Sequence, residues 1–137
     1  MINHRLTNAT KRRDQRGFLV DFLKGDETEV GNKKLGQIYF VTFEKKGVIR
    51  GNHYHETKNE WFVVVKGKVK VILEDRKTKQ QVSYILDGDN DSYKRIFVPK
   101  GIAHAFINMT ALSMMIDYAD KPYHNNQPDT IGYKIIE

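Results

Sequence analysis

No stretch of this chain longer than a turn or two repeats its apolar residues at the period of a helix. Short β-branched and aromatic runs recur instead, broken by Gly, Pro, Asn and Asp. Roughly nine or ten such segments follow one another at about 8–12-residue spacing, the pattern of an all-β sandwich or barrel with a double-sheet jelly roll among the solutions. With 137 residues the chain is expected to form one domain, residues 1–137, large enough to bury its own core. Phe18 to Leu23, Gly36 to Glu44, Val48 to Tyr54 and Trp61 to Val65 read as strands, and Lys66-Gly67-Lys68 is expected to fold the last of these back as a hairpin onto Val69 to Glu74. Val82 to Leu86, Arg95 to Val98, His104 to Ile107 and Leu112 to Tyr118 read as further strands, the last with Met114 and Met115 as core filler. The tail is expected to be loop as far as Asp129 and then a final strand.

Charge and composition narrow the partners. A net charge of +6 and a pI near 9.4 favour something anionic: nucleic acid, a membrane surface or a phosphorylated small molecule. The densest basic run, Lys11, Arg12, Arg13 and Arg16, is interrupted by Asp14, and no helix-turn-helix, RNP or zinc-finger pattern follows, so no nucleic acid is expected. No apolar run approaches the roughly 18 residues of a membrane span, and the first residues lack the apolar core of a secretory leader. The expectation is a cytoplasmic protein that does not engage membranes. The absence of cysteine excludes a disulfide scaffold and a thiol nucleophile.

Ionisable groups concentrate between Gly47 and Gly67. His53 and His55, two apart, project from one face of an extended strand, and the four residues before Glu60 are long enough for a turn that returns a carboxylate to the same point. His104 follows a Pro99-Lys100-Gly101 turn. Imidazole and carboxylate donors without thiolate suit a divalent ion such as Zn, Fe, Ni or Mn. The acidic run from Asp87 to Ser92 lacks a full calcium loop and reads as a solvated turn.

The spacing Gly47-x5-His53-x-His55-x4-Glu60-x6-Gly67 resembles the first cupin motif at every position. Pro99-x-Gly101-x2-His104-x3-Asn108 resembles the second, with Tyr93 standing where its opening glycine is expected. The resemblance implies a cupin jelly-roll barrel with His53, His55, Glu60 and His104 around one divalent metal, zinc first and Fe, Ni or Mn as alternatives. Asp14-Gln15-Arg16-Gly17-Phe18, Gln37 and Arg50-Gly51-x-His53 look like the frame of nucleotide-sugar epimerases and ketoisomerases of the dTDP-4-dehydrorhamnose 3,5-epimerase type. Gly51 to Phe62, with Thr57-Lys58-Asn59-Glu60 inside it, and Asn126-Gln127-Pro128-Asp129-Thr130 resemble the C-terminal cupin domains of bifunctional capsular-polysaccharide enzymes of the UDP-N-acetyl-L-fucosamine pathway. In those enzymes a separate reductase half completes the synthesis; these 137 residues correspond to the cupin half. The rhamnose-type epimerases tend to carry lysine at the position of Glu60 and to lack the second histidine, and the 3,4-ketoisomerases have the paired histidines but usually not the acidic ligand.

What the resemblance implies is an epimerase for a nucleotide-linked 4-keto-6-deoxy sugar, acting at C3, C5 or both in bacterial cell-surface polysaccharide synthesis, with a sugar 3,4-ketoisomerase, another metal-dependent cupin such as a dioxygenase, or a non-catalytic sugar-binding cupin as alternatives. The ketone acidifies its neighbouring carbons, so the reaction needs a base, an acid on the opposite face and a charge to hold the enolate oxygen. His53, with His55, supplies the base; Tyr118 or Tyr123 is preferred over Tyr133 as the acid. Arg16, Arg50 and Lys58 are expected at the diphosphate or the enolate, with Gln37 among the substrate contacts. A histidine nitrogen held by metal cannot also take a proton, so His53 is either ligand or base. Edge strands make a homodimer the expected assembly.

Overall fold

The computed structural model describes residues 2–15, 17–20, 22–23, 35–123, 126 and 128–137, and for 17–19 the backbone only. Regular structure among them is entirely β, in chain order β1 (Arg5–Asn8), β2 (Lys11–Asp14), β3 (Gly17–Val20), β4 (Gln37–Phe43), β5 (Ile49–His55), β6 (Glu60–Lys66), β7 (Lys68–Asp75), β8 (Gln81–Asp87), β9 (Lys94–Val98), β10 (Ile102–Asn108), β11 (Ser113–Ala119) and β12 (Thr130–Gly132). Two antiparallel five-stranded sheets, ordered β1-β9-β6-β11-β4 and β12-β5-β10-β7-β8, form the jelly roll; β2 and β3 make a separate ribbon. The alternation in β7 shows why the sheets close on each other. Val69, Val71 and Leu73 are fully buried and meet Phe62, Val64, Phe106 and Met115 in the core, while Lys70 and Ile72 between them are only half-buried. Met115 is core as expected; Met114, one residue away, is half-buried instead.

The expected hairpin at Lys66-Gly67-Lys68 is a crossover. β6 pairs with β9 and β11, and β7 with β8 and β10, so Gly67 carries the chain from one sheet to the other. Its φ of +80° and its tight surroundings, where a Cβ would stand 2.2 Å from Ser113 Oγ and 2.5 Å from the Leu112 carbonyl, restrict the position to glycine. The hairpin lies one strand later, between β7 and β8, where Asp75 Oδ1 accepts the backbone N–H groups of Lys77 and Thr78 at 2.8 and 3.2 Å. β1 is a strand that the sequence reading leaves unassigned. In β2 the basic run has an internal partner: Lys11 donates to the carbonyls of Gly88 and Asn90, and Arg13 Nε donates to Asp91 Oδ1 at 3.2 Å. Those cations hold the acidic turn.

A distortion in β5 sets up the site. Gly51 has φ +86° and Asn52 φ +55°, and β5 slips register against β10 beside His104, which leaves His53 directly opposite His104. Asn52 fixes the bend from outside, with Oδ1 accepting from the N–H groups of Ile135 and Ile136 at 2.8 and 2.9 Å and Nδ2 donating to the Ile136 carbonyl. A Cβ on Gly51 would approach the His104 carbonyl oxygen to 2.8 Å. Gly51→Ala is therefore expected to cost about 1–3 kcal/mol of stability, read from urea unfolding; a midpoint equal to that of the unaltered chain would contradict this account of the bend.

Candidate active site

Four elements deliver the cluster. β5 presents His53 and His55 from one face, β10 presents His104, and the turn after β5 returns Glu60 at the start of β6. Asp129 governs that turn. Its carboxylate accepts the backbone N–H groups of Glu56, Thr57 and Lys58 at 2.9, 3.0 and 3.2 Å and the Thr57 hydroxyl at 2.7 Å, and its carbonyl accepts His55 Nδ1–H at 2.9 Å. Nε2 of His55 is thereby left facing the interior. The Gly101 N–H donates to the His55 carbonyl at 2.6 Å, tying the second motif to the first. His104 Nδ1–H, bonded to the Ile102 carbonyl at 3.2 Å, likewise leaves its Nε2 inward.

The ligand nitrogens of His53, His55 and His104 all lie within 4.8 Å of one another. Glu60 Oε1 stands 2.9 Å from His55 Nε2 and 3.4 Å from His104 Nε2. Neither contact has the direction of a hydrogen bond, so His55 Nε2, His104 Nε2 and Glu60 Oε1 are buried polar atoms that converge without a hydrogen-bond partner. Stranding such atoms is costly, and a divalent cation of the zinc, iron, nickel or manganese type would satisfy all three at once; the donor set fits.

Two residues that the sequence reading passed over complete the interior. Asp117, inward on β11 and 1% exposed, has both carboxyl oxygens buried without a hydrogen-bond partner, and Tyr39 on β4 donates to Glu60 Oε2 at 3.4 Å. Burial opposes ionisation of Glu60, but its contacts with Asp117, His104 and His55 together outweigh that and hold it well below the usual carboxylate range. Asp117 is pushed well above its ordinary value by burial and by the neighbouring Glu60 charge. Burial, then the charges of Asp117 and Glu60, raises the Tyr39 phenol. His53 is lowered to about 4, by burial first and then by His104 and His55, and is neutral at pH 7. The signal for Asp117 was its place at an inward position of an otherwise apolar strand.

A cleft opens onto the cluster between β4 and β5. One part, about 130 Å³, has an apolar wall of Val41, Phe62, Phe106 and Met115, with Asp117 and His104 inside and Arg50 on its lining. The other, about 260 Å³, is lined by Gln37, Lys58, Tyr123, Thr130 and His55; His53 and Tyr39 border both. Gln37 Oε1 accepts the Tyr123 N–H at 2.7 Å. Of the expected residues, the fold thus gathers His53, His55, Glu60, His104, Arg50, Lys58, Gln37 and Tyr123. Tyr118 is a correction: it lies on the other face of β11, packed on Trp61 at 5.4 Å between ring centroids, with its hydroxyl near the Gly36 N–H. Strand alternation puts Asp117 in the cleft and Tyr118 out of it. Tyr133 also points elsewhere, bonded to Glu74 and Lys79. Arg16 lies outside the described residues.

A jelly roll with paired histidines, a carboxylate and a third histidine at its centre defines a cupin. Residues 12–131 match the family described as polysaccharide biosynthesis C-terminal domain, and the chain belongs to that family. It is 31% identical over 127 residues to the spore coat polysaccharide biosynthesis protein SpsL of Bacillus subtilis, covering 87% of this chain and 80% of that protein. Among solved structures it resembles the capsular polysaccharide assembling protein CapF of Staphylococcus aureus, with 27% identity, TM-score 0.69 and 93% of this chain covered; the match spans only 34% of the CapF chain. It also resembles the dTDP-6-deoxy-D-glucose-3,5-epimerase RmlC of Legionella pneumophila in complex with dTDP-4-keto-L-rhamnose, with 25% identity and TM-score 0.77 over 90% of this chain and 70% of that one.

Because one carboxylate holds three consecutive N–H groups and the His55 turn, Asp129→Ala is expected to cost about 2 kcal/mol. Chemical unfolding measures it, and an unchanged midpoint would show that the turn holds without Asp129.

Proposed function

We propose that this protein is an isomerase that epimerises a nucleotide-linked 4-keto-6-deoxy hexose, by proton transfer at C3, C5 or both, in the synthesis of a bacterial cell-surface polysaccharide. The observation that carries the reading is a neutral imidazole, His53, set at the junction of a cleft whose floor is a buried polar cluster and whose inner wall is apolar. That wall suits a 6-deoxy sugar, whose C6 is a methyl group. Resemblance to an epimerase solved with a dTDP-4-keto sugar supports the same substrate class.

His55, His104 and Glu60 would hold one divalent ion, zinc first, since their inward atoms, together with the Asp117 carboxyl oxygens, are the buried polar atoms left without hydrogen-bond partners. Bound there, the ion would supply positive charge to oxygen on the sugar's C4. His53, less buried than His55 and His104 and facing both parts of the cleft, keeps its lone pair for the proton on the adjacent carbon. Tyr39, bonded to Glu60 and bordering both parts of the cleft, is placed to return a proton from the other side; Tyr123 stands farther out, 49% exposed. Arg50, on the exposed face of β5 with Nε donating to the Thr42 carbonyl at 3.0 Å, presents its guanidinium toward a diphosphate at the rim. The reading includes a homodimer, for which the edge of β4, unpaired among the described residues, and its exposed Ile38 and Phe40 offer a surface, and a cytoplasmic site of action, which the cysteine-free composition fits.

NMR of deuterium entering C3 and C5 of dTDP- and UDP-4-keto-6-deoxyhexoses in heavy water tests the reading. Wash-in is expected, falling at least about 10²-fold in His53→Asn while the ion content stays at one per chain. Loss of the ion from that variant would make His53 a ligand; conversion to a 3-keto isomer would make the enzyme a ketoisomerase; no wash-in with either nucleotide would overturn the proposal.

A further inference from the structure

Asp117 interrupts an inward face of β11 that otherwise carries Ser113, Met115 and Ala119, all buried. Its cross-strand neighbours are Tyr39 on β4 and Phe62 on β6, and it lines the inner part of the cleft among Val41, Phe62, Phe106 and Met115. Among the described residues no donor is bonded to either of its carboxyl oxygens. The groups around it have little to give. The Tyr39 phenol has one proton and directs it to Glu60 Oε2. His55 Nε2 and His104 Nε2 pair with Glu60 and not with Asp117, so the ion that the cluster would hold does not account for this carboxyl. A proton shared between Asp117 and Glu60 would engage one oxygen and leave the other. A buried carboxyl costs free energy until it is hydrogen-bonded. The cavity has room for water or for part of a ligand, and a ligand that displaces water from such a group loses affinity unless it reproduces the hydrogen bonds.

We propose that Asp117 is a specificity-determining residue that takes a ring hydroxyl of the sugar, the one on C3. This rests on the nucleotide-sugar reading above. In a nucleotide-linked 4-keto-6-deoxyhexose, C1 carries the diphosphate, C4 the ketone and C5 the ring oxygen, and C6 is a methyl group. Hydroxyls remain on C2 and C3 alone. With C4 at the cluster and the diphosphate at Arg50, C3 lies at the depth of Asp117 and C2 lies toward the rim. A hydroxyl suits the carboxyl in either charge state: it donates to a carboxylate, and it can also accept from a carboxylic acid. Such a site rejects a sugar without the hydroxyl, because the carboxyl is then left buried with no partner.

The test is calorimetric binding of UDP- and dTDP-linked 6-deoxyglucose, which have no ketone and do not react, and of their 3-deoxy and 2-deoxy forms. Wild type is compared with Asp117→Val, which fills a similar space with an apolar group, and with Asp117→Asn, which still offers a donor and an acceptor. Wild type is expected to bind the 3-deoxy sugar at least about tenfold more weakly than the parent. Asp117→Val is expected to bind the two alike, and Asp117→Asn to keep part of the difference. The 2-deoxy sugar is the control: Asp117→Val weakens it by the same factor as the parent. The free Asp117→Val protein is expected to melt at or above wild type, since a partnerless carboxyl leaves an apolar wall. Equal affinity of wild type for the parent and the 3-deoxy sugar overturns the proposal, and that comparison holds even if Asp117→Val does not fold. A preference that survives Asp117→Val, or one that follows the C2 hydroxyl, also overturns it. If the expected pattern appears but no deuterium enters the 4-keto sugars, the epimerase reading fails and the role of Asp117 stands; no binding with either nucleotide overturns both.

Discussion

Three imidazoles and a carboxylate are brought together in the interior of the protein, where burial alone would drive them apart, and the rest of the fold can be read as what holds them there. Converging His55 Nε2, His104 Nε2 and Glu60 Oε1 without a hydrogen bond among them costs free energy. The scaffold absorbs that cost through a core of fully buried Val69, Val71, Leu73 and Phe43 and through restraints that act on the backbone rather than on the donors. Gly51 and Asn52 bend β5, Asp129 caps the His55 turn, and Gly101 donates to the His55 carbonyl. Each restraint sits one step away from a site atom, so the inward nitrogens are free for a ligand and cannot turn to satisfy themselves.

Much of this was legible because the relevant spacings are local. Two histidines two apart on a strand share a face whatever the tertiary fold, and a four-residue return to Glu60 follows from chain geometry. The Pro99-Lys100-Gly101 turn could likewise be recognised from residue type. What the sequence hid were relations set by sheet pairing. Glycine at Gly67 looks the same in a hairpin and in a crossover; the distinguishing fact is that β6 finds both of its partners in its own sheet. Tyr118 and Asp117 are adjacent in sequence, and which of them faces the cleft depends on the phase of β11 against β4 and β6. Lys58 was named as a substrate contact from the sequence, but not what places it: Asp129, seventy-one residues away, accepts its backbone N–H.

The site divides its work by depth. Apolar Val41, Phe62, Phe106 and Met115 line the inner cavity, titratable groups crowd the middle, and Arg50 stands at the rim. A ligand with an apolar sugar end and a charged nucleotide end matches that order, and a small uniformly charged acid does not. The chain belongs to the polysaccharide biosynthesis C-terminal domain family over residues 12–131 and is similar to SpsL, while the match to CapF covers only 34% of the CapF chain.

A crystal structure with a 4-keto nucleotide sugar bound tests the central claim most directly. The account predicts the hexose between His53 and Tyr39, its C6 methyl against Phe62, Phe106 and Met115, and the diphosphate beside Arg50. A hexose bound outside the cleft, for instance in the outer-face groove beside Lys70 and Gln81, with the histidine cluster untouched, would contradict it.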